Sequence, residues 1–160
     1  MLSAVTCLIF IGCASTQETE TQRQARWSQG KLSSWEVENG IGPITADIEI
    51  GVVDPAKAEQ GKQLFANKCA TCHYLDFKKT GPPLRDVTKR RSEYYVVNQI
   101  LNPEQMGKMH PYGKQLVAQY AQYMTIQGIT RDDAFALLDF LRTQATQPPV
   151  PMEQQPGFGV

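Results

Sequence analysis

Cys69-Ala70-Thr71-Cys72-His73 decides how this chain is read. It is a C-x-x-C-H run, the attachment signature of c-type haem. The spacing follows from the chemistry. Two thiols have to add across the two vinyl groups on one porphyrin edge, and a two-residue spacer lets both sulfurs reach. The next residue then falls under the iron, so His73 supplies an axial imidazole. An iron held in this way carries the chemistry and the protein tunes it.

Two other uses of the pair fit less well. A thioredoxin-like dithiol wants a βαβ pattern beside it, and none is visible over residues 54–86. A zinc site wants four clustered ligands, whereas the whole chain has four Cys and two His. Cys7 and Cys13 fall in an apolar amino-terminal run, out of reach of the motif.

That run, residues 1–12, reads as a signal peptide. Leu2 to Gly12 is apolar or small and uncharged, and about half the ~20 residues a membrane-spanning helix needs. Phe10-Ile11-Gly12-Cys13 resembles a bacterial lipobox, in which the Cys becomes the lipidated first residue of the mature protein. Phe10 stands where that pattern prefers Leu, and no Lys or Arg precedes the run. The alternative is a soluble signal peptide cut nearby, with Cys13 incidental. The expectation is a lipid on Cys13 and a membrane anchor on the periplasmic side of a bacterial cell envelope. The haem motif points the same way, because c-type attachment in bacteria is completed outside the cytoplasmic membrane.

Size and charge narrow the class. The 160 residues allow one ordinary domain plus tails. Sixteen basic residues balance sixteen acidic ones, so net charge provides no field for nucleic acid or a membrane surface. A core drawn from roughly 90 residues is modest. A buried porphyrin adds to it, so losing the porphyrin should destabilise the fold.

Residues 13–50 read as a tether and an extended segment, residues 51–145 as the haem domain, and residues 146–160 as a disordered Pro-rich tail. Gln17 to Arg26 is polar without apolar periodicity, and Trp27 and Trp35 are the residues there with something to pack. Ile44, Ala46, Ile48 and Ile50 alternate with polar residues, a period of two that predicts an extended stretch. Pro148, Pro149, Pro151 and Pro156 give the tail its composition.

The domain itself carries helix signals. Asp54-Pro55 is an N-cap followed by Pro at the first helical position, and the helix runs through Gly61, Leu64 and Phe65 to the Cys motif. Ser92 caps a second helix with Val97, Ile100 and Leu101 on one face, and Asn102-Pro103 ends it. A third starts at Pro111 and uses Leu116, Val117 and Tyr120. Thr130-x-x-Asp133 resembles a capping box. Behind it, Ala134, Leu137, Leu138 and Leu141 make a helical stripe. No internal repeat is evident, so one haem is expected.

In this order the elements resemble class I cytochrome c over about residues 51–145. The resemblance rests on a first helix with Gly61 and Phe65, the Cys motif, the loop Thr80-Gly81-Pro82-Pro83-Leu84, a Met-bearing loop and a final amphipathic helix. It implies an all-α fold with the first and last helices crossed around one covalently bound haem c. Gly61 would permit their close approach, with Phe65 against the Ala134/Leu138 face. It also implies that the carbonyl of Pro82 accepts a hydrogen bond from the far ring nitrogen of His73, fixing the tautomer.

For the sixth ligand the candidates are Met106, Met109, Met124 and Met152, with His110 as an outsider. The family places the Met shortly before the cap of the last helix, which favours Met124. Thr125 stands where the family's usual Pro would follow it. Met106 and Met109 otherwise read as packing or surface residues, and His110 as a polar helix-entry residue. Leu84 to Arg91 and Ile100 to Met106 resemble, more narrowly, small c-type cytochromes that accompany bacterial nitrous-oxide reductase systems.

A haem with His and Met on its two faces is coordinatively full, and the thioether raises the potential. The expected function is one-electron transfer between redox partners, not enzymatic catalysis. The rival is a haem enzyme or gas-binding sensor with a displaceable sixth ligand, for which His110 is the sole acid-base candidate. Lys78, Lys79, Lys89, Arg90 and Arg91 flank the haem segment. They form either a rim that steers an acidic partner or a solvated face.

Overall fold

A computed structural model of the chain describes residues 18–156 and 158. The proposed signal peptide and Cys13 lie outside the described residues. Those residues hold helices and no strand, as the all-α expectation requires. They fall into two units, one ending at Lys31 and the other starting at Leu32.

In the first unit, helix α1 (Glu20–Ser28) starts at a capping box. The Thr19 hydroxyl accepts from Gln22 N, and the Gln22 side chain accepts from Thr19 N at 2.8 Å. Arg26 donates to both oxygens of Glu18.

The second unit holds everything else. Helix α2 (Ser34–Asn39) opens on a second capping box, Ser33 with Glu36. Residues 13–50 therefore carry more structure than a tether: two short helices, each with its own start signal. The polar composition concealed them. After α2 the chain runs as a strap. Ile41 and Ile44 are wholly buried, and Ile48 and Ile50 pack against the core. The period-two pattern thus marks the inward side chains at Ile44, Ile48 and Ile50 but not at Ala46, which is exposed, and the strap pairs with side chains and not with another strand. Trp35 sits in the same layer, its ring 5.9 Å from that of Tyr94.

Helix α3 (Pro55–Leu64) begins where Asp54 accepts from Ala56 N and Lys57 N, with Pro55 pre-set for the first turn. It passes directly into a π-helical turn, Phe65–Cys69. A loop then leads to α4 (Val87–Arg90) and α5 (Glu93–Leu101), the latter capped by Ser92. Pro103 ends α5 as expected, but it also starts α6 (Pro103–Met109). Pro stops one helix and suits the first position of the next. Helix α7 (Pro111–Tyr120) follows, then an irregular loop to α8 (Arg131–Ala145).

Helices α3 and α8 share the most extensive contact in the fold. Gly61 makes it possible: a Cβ there would collide with the backbone carbonyl of Ala136. Phe65 meets Phe140, ring centres 5.3 Å apart, within one cluster that includes Ala134, Leu137, Leu138 and Leu141. Asp139 of α8 accepts from Asp54 N, tying the start of one helix to the other.

The tail differs from expectation. Gln155 is buried, and its side-chain oxygen accepts from Leu75 N at 2.9 Å. Its amide donates to Asp76 at 2.7 Å and to the Val150 carbonyl at 2.8 Å. Prolines keep residues 148–151 out of helix but leave them free to dock in extended form. Residues 146–156 are thus held against the loop after the Cys motif.

Candidate haem site

Cys69, Cys72, His73, Pro82 and Met124 line one cavity between the helices. The π-helical turn begins the construction. Its widened turn closes with Ala70 N donating to Phe65 O at 2.9 Å, and such turns re-phase the side chains that follow. The motif then folds on itself, because Cys72 N and His73 N both donate to Cys69 O. This puts two free thiols and an imidazole on one wall. Burial pushes the Cys69 thiol up to about 11, and the neighbouring Cys72 adds to it.

The loop after the motif holds the imidazole. Gly81 N donates to Cys72 O at 2.8 Å, Leu84 N to Tyr74 O at 3.1 Å and Arg85 N to Leu75 O at 2.9 Å. Gly81 is needed here, since a Cβ would strike the His73 ring. Nδ1 of His73 lies 2.8 Å from Pro82 O. A carbonyl can only accept, so Nδ1 carries the hydrogen and Nε2 keeps its lone pair. Burial holds the imidazole pKa below its ordinary value, with the Pro82 contact opposing it. The ring is therefore neutral at pH 7, as a metal ligand must be.

Beneath this loop, Arg85 and Asp76 form a buried ion pair, with a second contact from Nη2 to Oδ2 at 2.9 Å. Arg85 also donates to the carbonyl of Gln144 at the end of α8. The pair and Gln155 lock residues 74–76 to the carboxy-terminal helix. Sequence reasoning missed both, because neither partner lies within a helical turn of the other.

Of the methionines among the described residues, Met124 alone lines the cavity. Met106 is fully buried elsewhere, and its sulfur accepts from Ile41 N at 3.0 Å. Met109 ends α6 and Met152 belongs to the tail, both away from the cavity wall. His110 is also spoken for. Its Nε2 donates to Val37 O at 3.0 Å, and its Nδ1 accepts from Tyr112 N and Gly113 N as the cap of α7. That occupies both ring nitrogens.

The five basic residues are each engaged within the chain. Lys79 donates to Ala70 O at 2.8 Å and lies over the Tyr74 ring. Lys78 sits 4.9 Å from the Tyr120 ring centre, and Lys89 pairs with Asp86. Arg90 donates to Pro83 O, and Arg91 stacks on Tyr112 at 3.6 Å. Lys79 therefore acts as a clamp on the haem-motif turn.

The family model for cytochrome c matches residues 58–145. The chain belongs to the cytochrome c family. Its solved relatives agree. A cytochrome c from Rhodothermus marinus is 42% identical, with 71% of this chain and 97% of that chain covered and a TM-score of 0.65. An engineered form of it, Rma TDE, is 41% identical over 70% of this chain and 97% of that one, TM-score 0.65. The same engineered protein bound to a carbene intermediate gives 41%, 70%, 97% and 0.63. No curated protein sequence matches the chain.

The fold is that of class I cytochrome c, the family's cofactor is a covalently bound haem c, and its function is haem-based electron transfer. The cavity of this cytochrome suits such a group. It offers two thiols two residues apart, a neutral imidazole with a free lone pair, and walls built largely from apolar side chains such as Leu84, Val96, Leu137 and Leu141.

Proposed function

We propose that this cytochrome is a one-electron carrier, not an enzyme, with one haem c joined to Cys69 and Cys72 and ligated by His73 and Met124. The haem supplies the one-electron couple. The chain supplies the rest. Pro82 orients the His73 ring and raises its basicity. The soft Met124 sulfur and the apolar walls favour the reduced state.

The observation that carries this reading is that Met124 is the one methionine of the described residues that lines the cavity into which His73 also faces. His110, the candidate for acid-base work, is buried in helix capping. Its partners are redox proteins, and the site of action is the periplasmic side of a bacterial cell envelope, with a lipid on Cys13 as the anchor. The lipobox-like run and the compartment of haem attachment support this. Among the described residues no helix is long and apolar enough to cross a membrane. The resemblance of residues 84–91 and 100–106 names a nitrous-oxide reductase system as the partner class to test first.

The test is spectroscopic. Oxidised protein made with cytochrome-assembly machinery should show the weak near-infrared sulfur-to-iron band, and reduced protein should not take up carbon monoxide. Ready uptake would replace this reading by a gas-binding or enzymatic one. One feature favours that alternative. Among the described residues, 121–129 make no backbone hydrogen bond to any other element, so side chains alone restrain this loop: Tyr123 against Gly107, Gln99 Nε2 donating to the Met124 sulfur at 3.5 Å, and Ile129 against the core.

A further inference from the structure

His110 sits at a corner of the fold with both ring nitrogens in use. It closes α6 and opens α7, the helix that leads into the Met124 loop. The residue is 3% exposed. Its Nε2 lies 3.0 Å from Val37 O of α2, and its Nδ1 lies 3.2 Å from Tyr112 N and 3.4 Å from Gly113 N. A carbonyl only accepts and a backbone N–H only donates. Nε2 therefore carries the hydrogen and Nδ1 offers its lone pair. One neutral imidazole thus pins the start of α7 to α2.

The far end of α7 has no such pin. Among the described residues, 121–129 make no backbone hydrogen bond to another element. Ala121 ends α7 in the left-handed region at φ 51°, a costly conformation for a residue with a Cβ, just before Met124. Gly113 and Gly107 let α7 and Tyr123 settle closely on α6. A Cβ on Gly113 would strike the Met106 carbonyl, and one on Gly107 would strike the Tyr123 ring. Helix α7 is therefore a rod between the His110 corner and the Met124 loop. We propose that His110 is a positioning residue for the Met124 sulfur: it sets α7, α7 sets the loop, and protonating the ring releases both. The assignment rests on Met124 being the sixth ligand of the iron.

An imidazolium carries a hydrogen on Nδ1 as well as on Nε2, and that hydrogen would point at two N–H groups. The positive end of the α7 dipole repels the added charge. So does the Arg91 guanidinium, which stacks on Tyr112 beside the ring. Tyr95 meets the ring edge-on at 5.2 Å. The Glu36 carboxylate accepts from Ser33, while Glu38, Lys108 and Lys114 on the adjoining helices are exposed. Burial holds the imidazole below its ordinary value, the Val37 contact opposes this, and Arg91 adds to it. Once released, the ring returns to about 6.5. The closed form is therefore fully favoured above about pH 6.5, and opening grows as pH falls below it, by up to about tenfold per pH unit for one proton.

The experiment uses oxidised holoprotein from about pH 8 down to about pH 5.5. The near-infrared band reads Met ligation, and the apparent affinity for azide reads how often the sixth position opens. In wild-type protein azide binding should strengthen below about pH 6.5, by up to about tenfold per pH unit. His110→Asn keeps an acceptor near the α7 amides, and His110→Gln keeps a donor toward Val37. Neither titrates in this range, so both should give flat profiles. The wild-type slope persisting in either variant overturns the proposal. Nuclear magnetic resonance of the wild-type protein decides the matter if the variants fail to fold. The His110 ring nitrogens and the Met124 methyl should then change with one midpoint, and a His110 titration that leaves the methyl signal unmoved overturns the proposal. A near-infrared band missing already at about pH 8 would overturn Met124 ligation itself, a result distinct from a band that is present beside a pH-independent azide affinity.

Discussion

Asn98 grips Ile44 by both of its backbone groups. The Asn98 Oδ1 accepts from Ile44 N at 3.0 Å, and its Nδ2 donates to Ile44 O at 2.9 Å. The same Nδ2 reaches Asn39 O at 3.0 Å. Gly42 runs so close to Asn98 that a Cβ there would collide with its carboxamide. One fully buried amide therefore stands in for the missing neighbour strand along residues 39–44.

Asn98→Ala removes that partner and strands three backbone groups in the interior. With roughly 1–3 kcal/mol for each buried group left unsatisfied, and partial relaxation, the loss should reach about 3 kcal/mol. Chemical denaturation of the holoprotein measures it. A loss under about 0.5 kcal/mol would mean that the Asn98 carboxamide does not hold the strap.

Gly61→Ala tests the α3–α8 crossing. The added methyl group meets a backbone carbonyl, which cannot swing aside as a side chain can. Overpacking of this kind costs about 1–3 kcal/mol, against a gain of up to about 1 kcal/mol from helix propensity. The expected outcome is a lower thermal midpoint with the haem still attached, followed in the Soret band.

Met124→Ala should abolish the near-infrared band, lower the midpoint potential and open the iron to carbon monoxide. Met106→Leu should change none of these, because its sulfur faces Ile41 N and not the cavity. Spectra of the two variants side by side decide the ligand.

Acid should loosen the tail before it disturbs the haem motif. The Arg85 guanidinium holds the Asp76 carboxyl below its ordinary range, with Gln155 and Val150 N adding to the effect. A depressed carboxylate stabilises the fold fully above its unfolded pKa of about 4 and loses that contribution as pH falls through the folded value. Urea melts from neutral pH down to about pH 2 should show wild-type stability falling below about pH 4. Asp76→Asn should be less stable at pH 7, because Arg85 is left buried without its counter-charge. Its pH dependence over the acid range should be flatter.

The parts legible in the sequence are those whose causes are local. Asp54, Ser92 and Thr130 each satisfy amides two or three residues ahead, so each helix start could be read from a short window. The Cys motif encodes its chemistry in five consecutive residues. Other features escaped because their causes lie far away in the chain. Asn98 and Ile44 are 54 residues apart, and Gln155 and Leu75 are 80 apart. Nothing near Gln155 distinguishes it from the other glutamines of a Pro-rich end. The helices α1 and α2 were a different failure, since Thr19 with Gln22 and Ser33 with Glu36 are local signals hidden in a stretch without apolar rhythm.

The span of the Gln155 clamp has a temporal side. Joining residues 80 positions apart is entropically slow, and a polypeptide made from its amino terminus delivers Gln155 well after Leu75. The segment bearing Cys69 and Cys72 is thus expected to wait, unfastened, while the trailing end arrives. That interval is when an assembly enzyme has the freest access to both sulfurs.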